Sequence, residues 1–351
     1  MSMSMSTITH NSASVKGLSA PYRDKHKQAL ELSEVYDYLF HQADTSQELD
    51  RWESKRDRVR CCGTLLMGDV YERISCVDGE FGAEQSYRLT GANFCRVMLC
   101  PTCQWRRASK LYGTLIKSLG YMMDEYKLVE FDDSKHRVLP KLRMLLLTLT
   151  VPSVSGDALR DTIQSMADGW HRLQRVPRFR SAVKGYYRCL EVTYNSKADT
   201  YHPHYHVLLI TTEAYFARSR SDYIGHAEWL DMWRNAMRDS SITQVDVRPL
   251  RGGAPSALLK SLSEVCKYTC KPSDYLRGTM EQRASVVGTI DKALDKVRRA
   301  SWGGCLKAAK AALALDEEII EQDYAPDDDW YKVQSDVWLH WSSGVGDYVT
   351  I

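Results

Sequence analysis

Hydrophobic residues recur at different spacings along the chain, and each spacing predicts a helix or a strand. In Lys25–Arg58 apolar residues recur three and four positions apart among charged ones, which predicts helix. Cys61–Cys103 contains short apolar pieces interrupted by Gly and Cys, and Trp105–Tyr126 returns to the helical spacing. The charged segment Glu125–Lys135 follows, and we expect a domain boundary near it.

From Leu142 onward the chain alternates between β-rich and helical segments. The pattern predicts a strand at Leu142–Val151, a helix at Ser155–Leu173, strands at Tyr186–Asn195 and Tyr205–Thr212, a helix at Ala227–Arg238, a strand at Ile242–Val247 and a helix at Ser256–Tyr268. Arg277–Ala314 is mostly helical in pattern, with a break at Ser301–Gly304. The order β-α-β-β-α-β-α is typical of a split β-α-β fold, with helices on one face of an antiparallel sheet. We therefore expect an α+β protein whose central antiparallel sheet is ferredoxin-like or RRM-like and is flanked by helices.

Length and composition are those of an ordinary globular protein. The chain has 351 residues, of which 44% are hydrophobic and 26% charged, so it is neither a bare binding peptide nor a disordered linker. It contains no run of about 18 apolar residues, so we expect no membrane span. Residues 1–15 lack the basic and apolar regions of a signal peptide, which favours a cytoplasmic location.

Charge is distributed unevenly behind a net value of +2. Asp316–Asp329 holds eight acidic residues and no Lys or Arg, so the rest of the chain carries about +10 by subtraction. Gln85–Met123 and His171–Arg188 each contain six Lys or Arg residues and no acidic one. Either stretch can be merely a solvated face, but two of them on one chain favour a polyanion partner such as nucleic acid.

Cysteine spacing indicates a bound metal rather than disulfides. Six of the ten cysteines lie between residues 61 and 103, and a CPxC sequence at Cys100–Cys103 is typical of a metal-binding knuckle. Structural zinc takes four thiolate or imidazole ligands in a tetrahedron. The expected ligands are Cys62, Cys95, Cys100 and Cys103. Cys61 and then Cys76 are alternatives to Cys62, and a group of free core thiols is the interpretation without metal.

A second metal site is predicted where two histidines alternate along a strand. His204 and His206 project from the same face of the predicted strand, whose start we place at Pro203 because proline cannot donate to a sheet ladder. If the preceding strand pairs with this one, Glu191 can supply a carboxylate to the same ion. This His₂Glu set suits catalytic zinc as well as Mg²⁺ or Mn²⁺, and His202 is either a fourth ligand or a support.

The sequence EVCKYTCK, residues 264–271, carries a candidate nucleophile. On a helix Glu264 and Tyr268 would lie one turn apart on the same face. A phenol has a pKa near 10, so Tyr268 needs a metal or a cation to stabilise its phenolate, and Lys267 or Lys271 can supply one. A solvated helix whose tyrosine packs on the sheet is the structural alternative.

These stretches together resemble a known family. The resemblance rests on six motifs: FCRVMLCPTC (94–103), LTLTV (147–151), HPHYHVLL (202–209), DSSITQVDVRPL (239–250), EVCKYTCK followed by Asp274 and Tyr275, and SWGG (301–304). They resemble the initiator (Rep) proteins of rolling-circle-replicating plasmids, members of the HUH endonuclease superfamily, over about Cys61–Gly304. The first 50 or so residues and the acidic end lie outside the resemblance.

The resemblance implies a specific reaction. The initiator would nick one strand of the plasmid's double-strand origin, using Mg²⁺ or Mn²⁺ held by His204, His206 and Glu191. Tyr268 would attack the scissile phosphate, giving a 5′-phosphotyrosyl link and a free 3′-OH for a polymerase, and Glu264 would activate water for the terminating cleavage. Double-strand origin DNA, single-stranded DNA, a host helicase and a polymerase are the expected partners, and a homo-oligomer is compatible with the sequence.

Composition and pattern, together with the resemblance, predict a domain organisation. We expect a disordered tail at 1–22, a helical and Cys-rich zinc-binding region at 23–130, an HUH nicking domain at 135–275, and a helical carboxyl-terminal region with the acidic segment at 276–351. Three other hypotheses remain: a zinc-module DNA-binding regulator without catalysis, a zinc hydrolase acting on a small molecule, and a relaxase or transposase of the same superfamily.

Overall fold

The computed structural model describes residues 20–77, 80–125, 142–216, 222–250, 262–266, 269–313 and 331–351. Its helices are α1 (Ala20–His41), α2 (Ser46–Arg60), α3 (Pro101–Glu125), α4 (Gly156–Leu173), α5 (Pro177–Ala182), α6 (His226–Met237), α7 (Pro272–Tyr275), α8 (Met280–Ala293) and α9 (Gly304–Ala312). Its strands are β1 (Leu65–Val77), β2 (Glu80–Ala92), β3 (Leu142–Thr150), β4 (Val183–Asn195), β5 (Thr200–Thr212), β6 (Val245–Leu250), β7 (Ala300–Gly303), β8 (Tyr331–Ser342) and β9 (Asp347–Thr350). The chain divides into two compact units, residues 1–103 with 318–351 and residues 104–317. Within the described ranges no helix has both the length and the apolar character that a membrane crossing requires.

The first unit combines two helices with a four-stranded antiparallel sheet of order β2-β1-β8-β9. Its amino-terminal helical region is two helices rather than one, because Thr45 caps a new helix by accepting a hydrogen bond from the Glu48 N–H at 3.2 Å. Tyr36 on α1 stacks on Trp52 of α2 with ring centroids 5.9 Å apart. The two helices therefore share a buried aromatic contact.

The carboxyl-terminal end differs from the predicted helical region. Residues 280–312 contain the expected helices α8 and α9, but residues 331–351 form the strands β8 and β9. Strand β8 pairs with β1, so that Leu339 lies opposite Leu66. Leu339 is fully buried although its neighbours in the sequence are polar or exposed. Because β1 and β8 are more than 250 residues apart in the sequence, no local pattern predicts that they pair. The acidic segment at 316–329 and the tail before residue 20 lie outside the described residues.

The second unit is built on a five-stranded antiparallel sheet of order β6-β3-β5-β4-β7. Strand β5 lies between β3 and β4, which are themselves connected through α4 and α5. This confirms the prediction of an α+β protein with an antiparallel sheet flanked by helices. The predicted break at Ser301–Gly304 is largely strand β7. Gly304 turns the chain with φ +57°, where a Cβ would collide with the Lys184 carbonyl oxygen.

Helices cover both faces of this sheet, so the prediction of helices on one face was wrong. One face packs against α3, α9 and residues 262–266 through a core cluster that includes Leu115, Leu306 and Leu208. On the other face Trp170 of α4 contacts Tyr205, with ring centroids 6.5 Å apart. Both faces of the central strands therefore carry apolar residues, except where polar side chains gather at one end of β4 and β5.

Strand β5 begins three residues before the predicted start at Pro203. Tyr201 exchanges backbone hydrogen bonds with Val154, both at 2.8 Å. Since alternate residues of a strand direct their N–H groups to the same side, Pro203 would point its missing N–H towards this side too. On that side of β5 the neighbouring strand β3 has already ended at Thr150. Proline therefore costs the ladder no hydrogen bond, although β5 is a central strand.

Candidate active site and cysteine cluster

Strands β4 and β5 bring the predicted metal ligands together. Glu191 lies directly opposite His204 in the antiparallel register, and His206 follows on the same face. Oε2 of Glu191 is 3.2 Å from Nε2 of His204 and 2.8 Å from Nε2 of His206. One ligand atom from each residue lies within 4.8 Å of the others. The strand pairing that the sequence left conditional is present.

The Nδ1 atoms of both histidines, on the other side of the ring from Nε2, contact polar groups of their own. Nδ1 of His204 lies 3.2 Å from the carbonyl oxygen of His202, to which it can donate. Nδ1 of His206 lies 3.4 Å from Oγ1 of Thr148 on β3. Contacts of this kind fix the ring orientation and leave Nε2 available as the ligand atom, as they do around metal-binding histidines.

Glu191 is a buried carboxylate, only 3% exposed. Burial by itself would raise the pKa of Glu191, but the contacts with the His204 and His206 rings outweigh it and hold the pKa well below its ordinary value. The second oxygen, Oε1, has no hydrogen-bond partner in the described part of the chain and faces Nζ of Lys271 at 3.3 Å. A buried carboxylate with two convergent imidazoles fits a divalent cation, and this donor set leaves zinc, Mg²⁺ and Mn²⁺ open.

His202 is adjacent to this site without joining it. Its ring stacks on that of His204 with centroids 5.2 Å apart, and its carbonyl oxygen receives the His204 Nδ1 contact. Burial, followed by the neighbouring His204, lowers the pKa of His202. The group of convergent ligand atoms among the described residues contains Glu191, His204 and His206 only. This arrangement favours a supporting role for His202.

The predicted nucleophile, Tyr268, and its neighbour Lys267 lie outside the described residues. Residues 262–265 are helical and Cys266 is in a turn. The helix that was predicted to run unbroken to residue 268 is therefore interrupted at Cys266. Glu264, one of these helical residues, is exposed. After the gap, the Val192 N–H donates to the Thr269 carbonyl oxygen at 2.7 Å. Thr269, the first described residue after Lys267 and Tyr268, is therefore bonded to β4 next to Glu191.

Tyr275, the other tyrosine near the motif, is fully buried. Its hydroxyl accepts a hydrogen bond from Nε2 of Gln104 at 3.2 Å. Gln104 in turn accepts from the Cys270 N–H through Oε1 at 3.4 Å. Tyr275 thus holds the segment after the motif in place, and its hydroxyl is not accessible to a DNA strand.

The four predicted zinc ligands also converge, in the first unit. Sγ of Cys62 is 3.6 Å from Sγ of Cys103 and 3.5 Å from Sγ of Cys100, and Sγ of Cys95 is 3.6 Å from Sγ of Cys103. A sulfur tetrahedron with Zn–S bonds of about 2.3 Å has edges of about 3.8 Å. The sulfur positions therefore match a tetrahedral zinc site in size. Cys61 is exposed and lies outside this cluster.

Backbone N–H groups support the cysteine cluster. The N–H of Cys95 donates to Sγ of Cys62 at 3.4 Å, and the N–H of Arg96 donates to Sγ of Cys103 at 3.3 Å. Hydrogen bonding from Cys103, with burial, raises the pKa of the Cys100 thiol, whereas hydrogen bonds from Cys100 and its neighbours lower the pKa of Cys103. Four buried thiols this close cannot all ionise without a compensating cation.

Two supporting residues were missed from the sequence. Thr148 contacts His206, and the alternation of LTLTV could have placed it on the ligand face of β3, opposite His206. Gln104 anchors Cys270 and Tyr275, but it lies more than 160 residues away along the chain, at 3.4 Å and 3.2 Å from its two partners. No local sequence signal connects it to the site.

Comparisons with known proteins identify the family of the chain. A family model described as Replication protein matches residues 86–349. A "Protein rep" from Streptococcus pneumoniae serotype 2 is 32% identical over 273 residues, which cover 78% of this chain and 76% of the relative. A "Protein rep" from Bacillus amyloliquefaciens is 30% identical over 331 residues, covering 86% and 89%, and one from Staphylococcus aureus is 36% identical over 224 residues, covering 64% and 85%. No solved structure matches the chain.

The family match begins later and ends later than the resemblance seen in the motifs. It starts at residue 86 rather than near Cys61, and it continues past Gly304 through the acidic segment to residue 349. It nevertheless includes the Glu191, His204 and His206 site and three of the four clustered cysteines. The chain therefore belongs to the Replication protein (Rep_1) family, which confirms its resemblance to the Rep initiators of plasmids.

Proposed function

We propose that this Rep-family plasmid replication protein is a metal-dependent endonuclease that nicks and rejoins one strand of its origin. The observation that carries the proposal is the register of β4 and β5, which sets Glu191 opposite His204 and beside His206. Three convergent ligand atoms that include a buried carboxylate are difficult to explain as a structural hydrogen-bond network alone. They are the donor set of a catalytic cation.

Glu191, His204 and His206 would hold this cation, which we propose to be Mg²⁺ or Mn²⁺. When bound, it supplies Lewis acidity that polarises the scissile phosphate. The choice over zinc rests on the resemblance to HUH endonucleases. The sheet supports that resemblance, since β5 lies between β3 and β4 as a split β-α-β arrangement requires.

Tyr268 is the proposed nucleophile. Its phenolate oxygen attacks phosphorus, the bond from phosphorus to the 3′ oxygen breaks, and the leaving oxygen takes a proton to become the 3′-OH. The product is a 5′-phosphotyrosyl link. Lys267 stabilises the phenolate by its charge. The proposal is supported by Thr269, whose carbonyl oxygen is bonded to Val192 next to Glu191, and by the burial of Tyr275.

Glu264 would act at the end of the replication round. It takes a proton from a water molecule that then attacks the phosphotyrosyl phosphorus, releasing Tyr268 and a 5′ phosphate. Uncoordinated water has a pKa near 15.7 and needs a positioned base for such an attack. Glu264 is exposed and lies four residues before Tyr268, so it is accessible to solvent water.

The cysteine cluster would be a structural zinc site formed by Cys62, Cys95, Cys100 and Cys103. The sulfur spacing and the N–H donors support this assignment. Structural zinc contributes folding energy directly, so the ion would stabilise the first unit. Partners follow from the family: origin DNA as duplex and single strand, with a host helicase and polymerase extending the nick.

The test is formation of a covalent adduct. A labelled single strand that carries the origin nick site is mixed with the full chain and Mn²⁺, and then with denaturant and a chelator. We expect a labelled protein band that survives denaturation, and none without divalent metal. Absence of the adduct over a range of Mn²⁺ and Mg²⁺ concentrations, with the strand still bound, would favour the DNA-binding regulator without catalysis.

A further inference from the structure

Half of the cations in the basic stretch 171–188 are used inside the fold of the second unit. Nε of Arg172 donates to a backbone carbonyl oxygen of α6 at 2.5 Å. Arg178 forms an ion pair with Glu228 at 2.9 Å. Arg188 is buried, and its guanidinium lies over the rings of two aromatic residues. These three cations therefore have partners within the chain, and they stabilise its packing.

The other three cations of the stretch, Arg175, Arg180 and Lys184, are exposed and form no ion pair with another described residue. Nζ of Lys184 donates to the carbonyl oxygen of Ser181 at 2.9 Å, which does not neutralise its charge. The sequence holds no acidic residue between positions 171 and 188. The three side chains thus carry a positive charge that the surrounding stretch does not balance, and we call them the basic patch.

Helix α5 directs two members of the basic patch to solvent. Phe179 and Ala182 of this helix are buried, whereas Arg180 and Ser181, which lie between them in the sequence, are exposed. The helix therefore has a packed side and a solvent side, and Arg180 lies on the solvent side. The bond from Lys184 to the Ser181 carbonyl oxygen holds the Lys184 ammonium at the end of the same helix.

A hydrogen bond between side chains brings Arg175 to the same region. The Tyr186 hydroxyl donates to Oε1 of Gln174 at 2.9 Å. Gln174 directly precedes Arg175, and Tyr186 lies two residues after Lys184 on β4. The chain therefore folds back around α5, and the basic patch is one surface region rather than three scattered side chains.

The basic patch lies at the opposite end of β4 from the candidate metal site. Lys184 and Glu191 are separated by seven positions of this strand, which corresponds to about 23 Å at 3.3 Å per residue. Duplex DNA rises about 3.4 Å per base pair, so DNA that is cut at the metal site would reach the patch after about seven base pairs. The patch would thus contact DNA outside the position of the cut.

We infer that the basic patch binds backbone phosphates in the duplex part of the origin. The inference rests on the proposed function and extends it by assigning a surface that holds the duplex beside the nick site. Lys and Arg contacts to phosphates position a protein on duplex DNA without reading its sequence. A single strand is held instead by exposed rings on which its bases stack. Phe179 is the one aromatic residue in 171–184, and it is buried, so the patch fits the duplex.

The experiment measures binding by the full chain without divalent metal, so its result does not depend on cleavage. Fluorescence anisotropy follows a labelled duplex of about 25 base pairs and a labelled oligo(dT) of the same length, between about 50 and 300 mM NaCl. Two triple variants, the patch variant and the control variant, are compared. The control removes the same charge from three other exposed cations of the second unit. The substitutions are Arg175→Gln, Arg180→Gln and Lys184→Gln in the patch variant, and Lys292→Gln, Lys296→Gln and Arg298→Gln in the control variant.

We expect the patch variant to bind the duplex at least about 100-fold more weakly at 100 mM NaCl, with the slope of log K against log[NaCl] reduced by about 0.9 for each of three lost phosphate contacts. The control variant should bind the duplex within about threefold of wild type, and both variants should bind oligo(dT) within about threefold. Unchanged duplex binding by the patch variant, or an equal loss in both variants, would overturn the inference. An equal loss on oligo(dT) would contradict the assignment to duplex DNA.

Thermal unfolding separates a binding role from a structural one. The patch variant should unfold within about 2 °C of wild type, because exposed substitutions change stability little. A clear fall relative to the control variant would make these cations structural residues and would overturn the inference. The salt slope supplies the readout that a structural role would not change, since it counts the phosphates that the protein neutralises. If the duplex result is as expected but no covalent adduct forms, the nicking proposal fails while the assignment of this surface stands.

Discussion

The substitution Cys62→Ser, compared with Cys61→Ser, tests the cysteine cluster by changing adjacent residues in the same way. Cys62 is fully buried, contacts the sulfurs of Cys103 at 3.6 Å and Cys100 at 3.5 Å, and accepts the Cys95 N–H at 3.4 Å. Cys61 is exposed. Structural zinc in small peptides binds with about 10–16 kcal/mol, so one ligand of four accounts for roughly 2.5–4 kcal/mol. That is a large fraction of the stability of a typical domain.

Metal analysis and thermal unfolding of proteins purified without chelator give the measurement. We expect about one zinc per chain in wild type and in Cys61→Ser, and a loss of zinc in Cys62→Ser. At about 2–4 °C per kcal/mol, the melting temperature of the first unit should fall by about 5 °C or more in Cys62→Ser only. If Cys62→Ser kept its zinc and its melting temperature, or if both variants lost them equally, the four-cysteine site would be wrong.

The remaining predictions concern cleavage. His204→Ala and His206→Ala should each abolish metal-dependent nicking in limiting Mn²⁺, while the exposed His171→Ala should nick normally; wild-type rates in either ligand variant would contradict the metal site. Glu191→Ala should lose nicking less completely, since water can replace one carboxylate, and rescue by excess Mn²⁺ measures this; an unchanged requirement for Mn²⁺ would argue against Glu191 as a ligand. Glu264→Ala should form the covalent adduct but fail in termination on a substrate with initiation and termination sites, and equal release of circles would assign the base elsewhere.

The metal-ligand face could be predicted because it depends on strand periodicity. Two histidines two residues apart must share a face of a strand, and a Glu between apolar residues must point to the opposite face from those neighbours. The sequence could not establish the register that sets Glu191 opposite His204, because register depends on pairing across the sheet. Alternation nevertheless made Glu191 the candidate, and the strand pairing brings together the three residues that were predicted, Glu191, His204 and His206.

Other features depend on contacts between distant segments, which the local pattern does not contain. The pairing of β8 with β1 joins residues such as Leu339 and Leu66. The helical residues end at 265, and beyond residues 267 and 268 the chain is bonded to distant segments, Thr269 to Val192 on β4 and Cys270 to Gln104. Helical spacing alone predicted a longer helix there, but tertiary hydrogen bonds can override local propensity.

The most direct test of the central claim is to identify the residue that becomes attached to DNA. The adduct formed with Mn²⁺ is digested with protease and nuclease, and the modified peptide is sequenced by mass spectrometry. We predict a 5′-phosphotyrosyl group on Tyr268, with no adduct in Tyr268→Phe and a normal adduct in Tyr275→Phe, since Tyr275 is fully buried and bonded to Gln104. An adduct on Tyr275, or one that persists in Tyr268→Phe, would contradict the account.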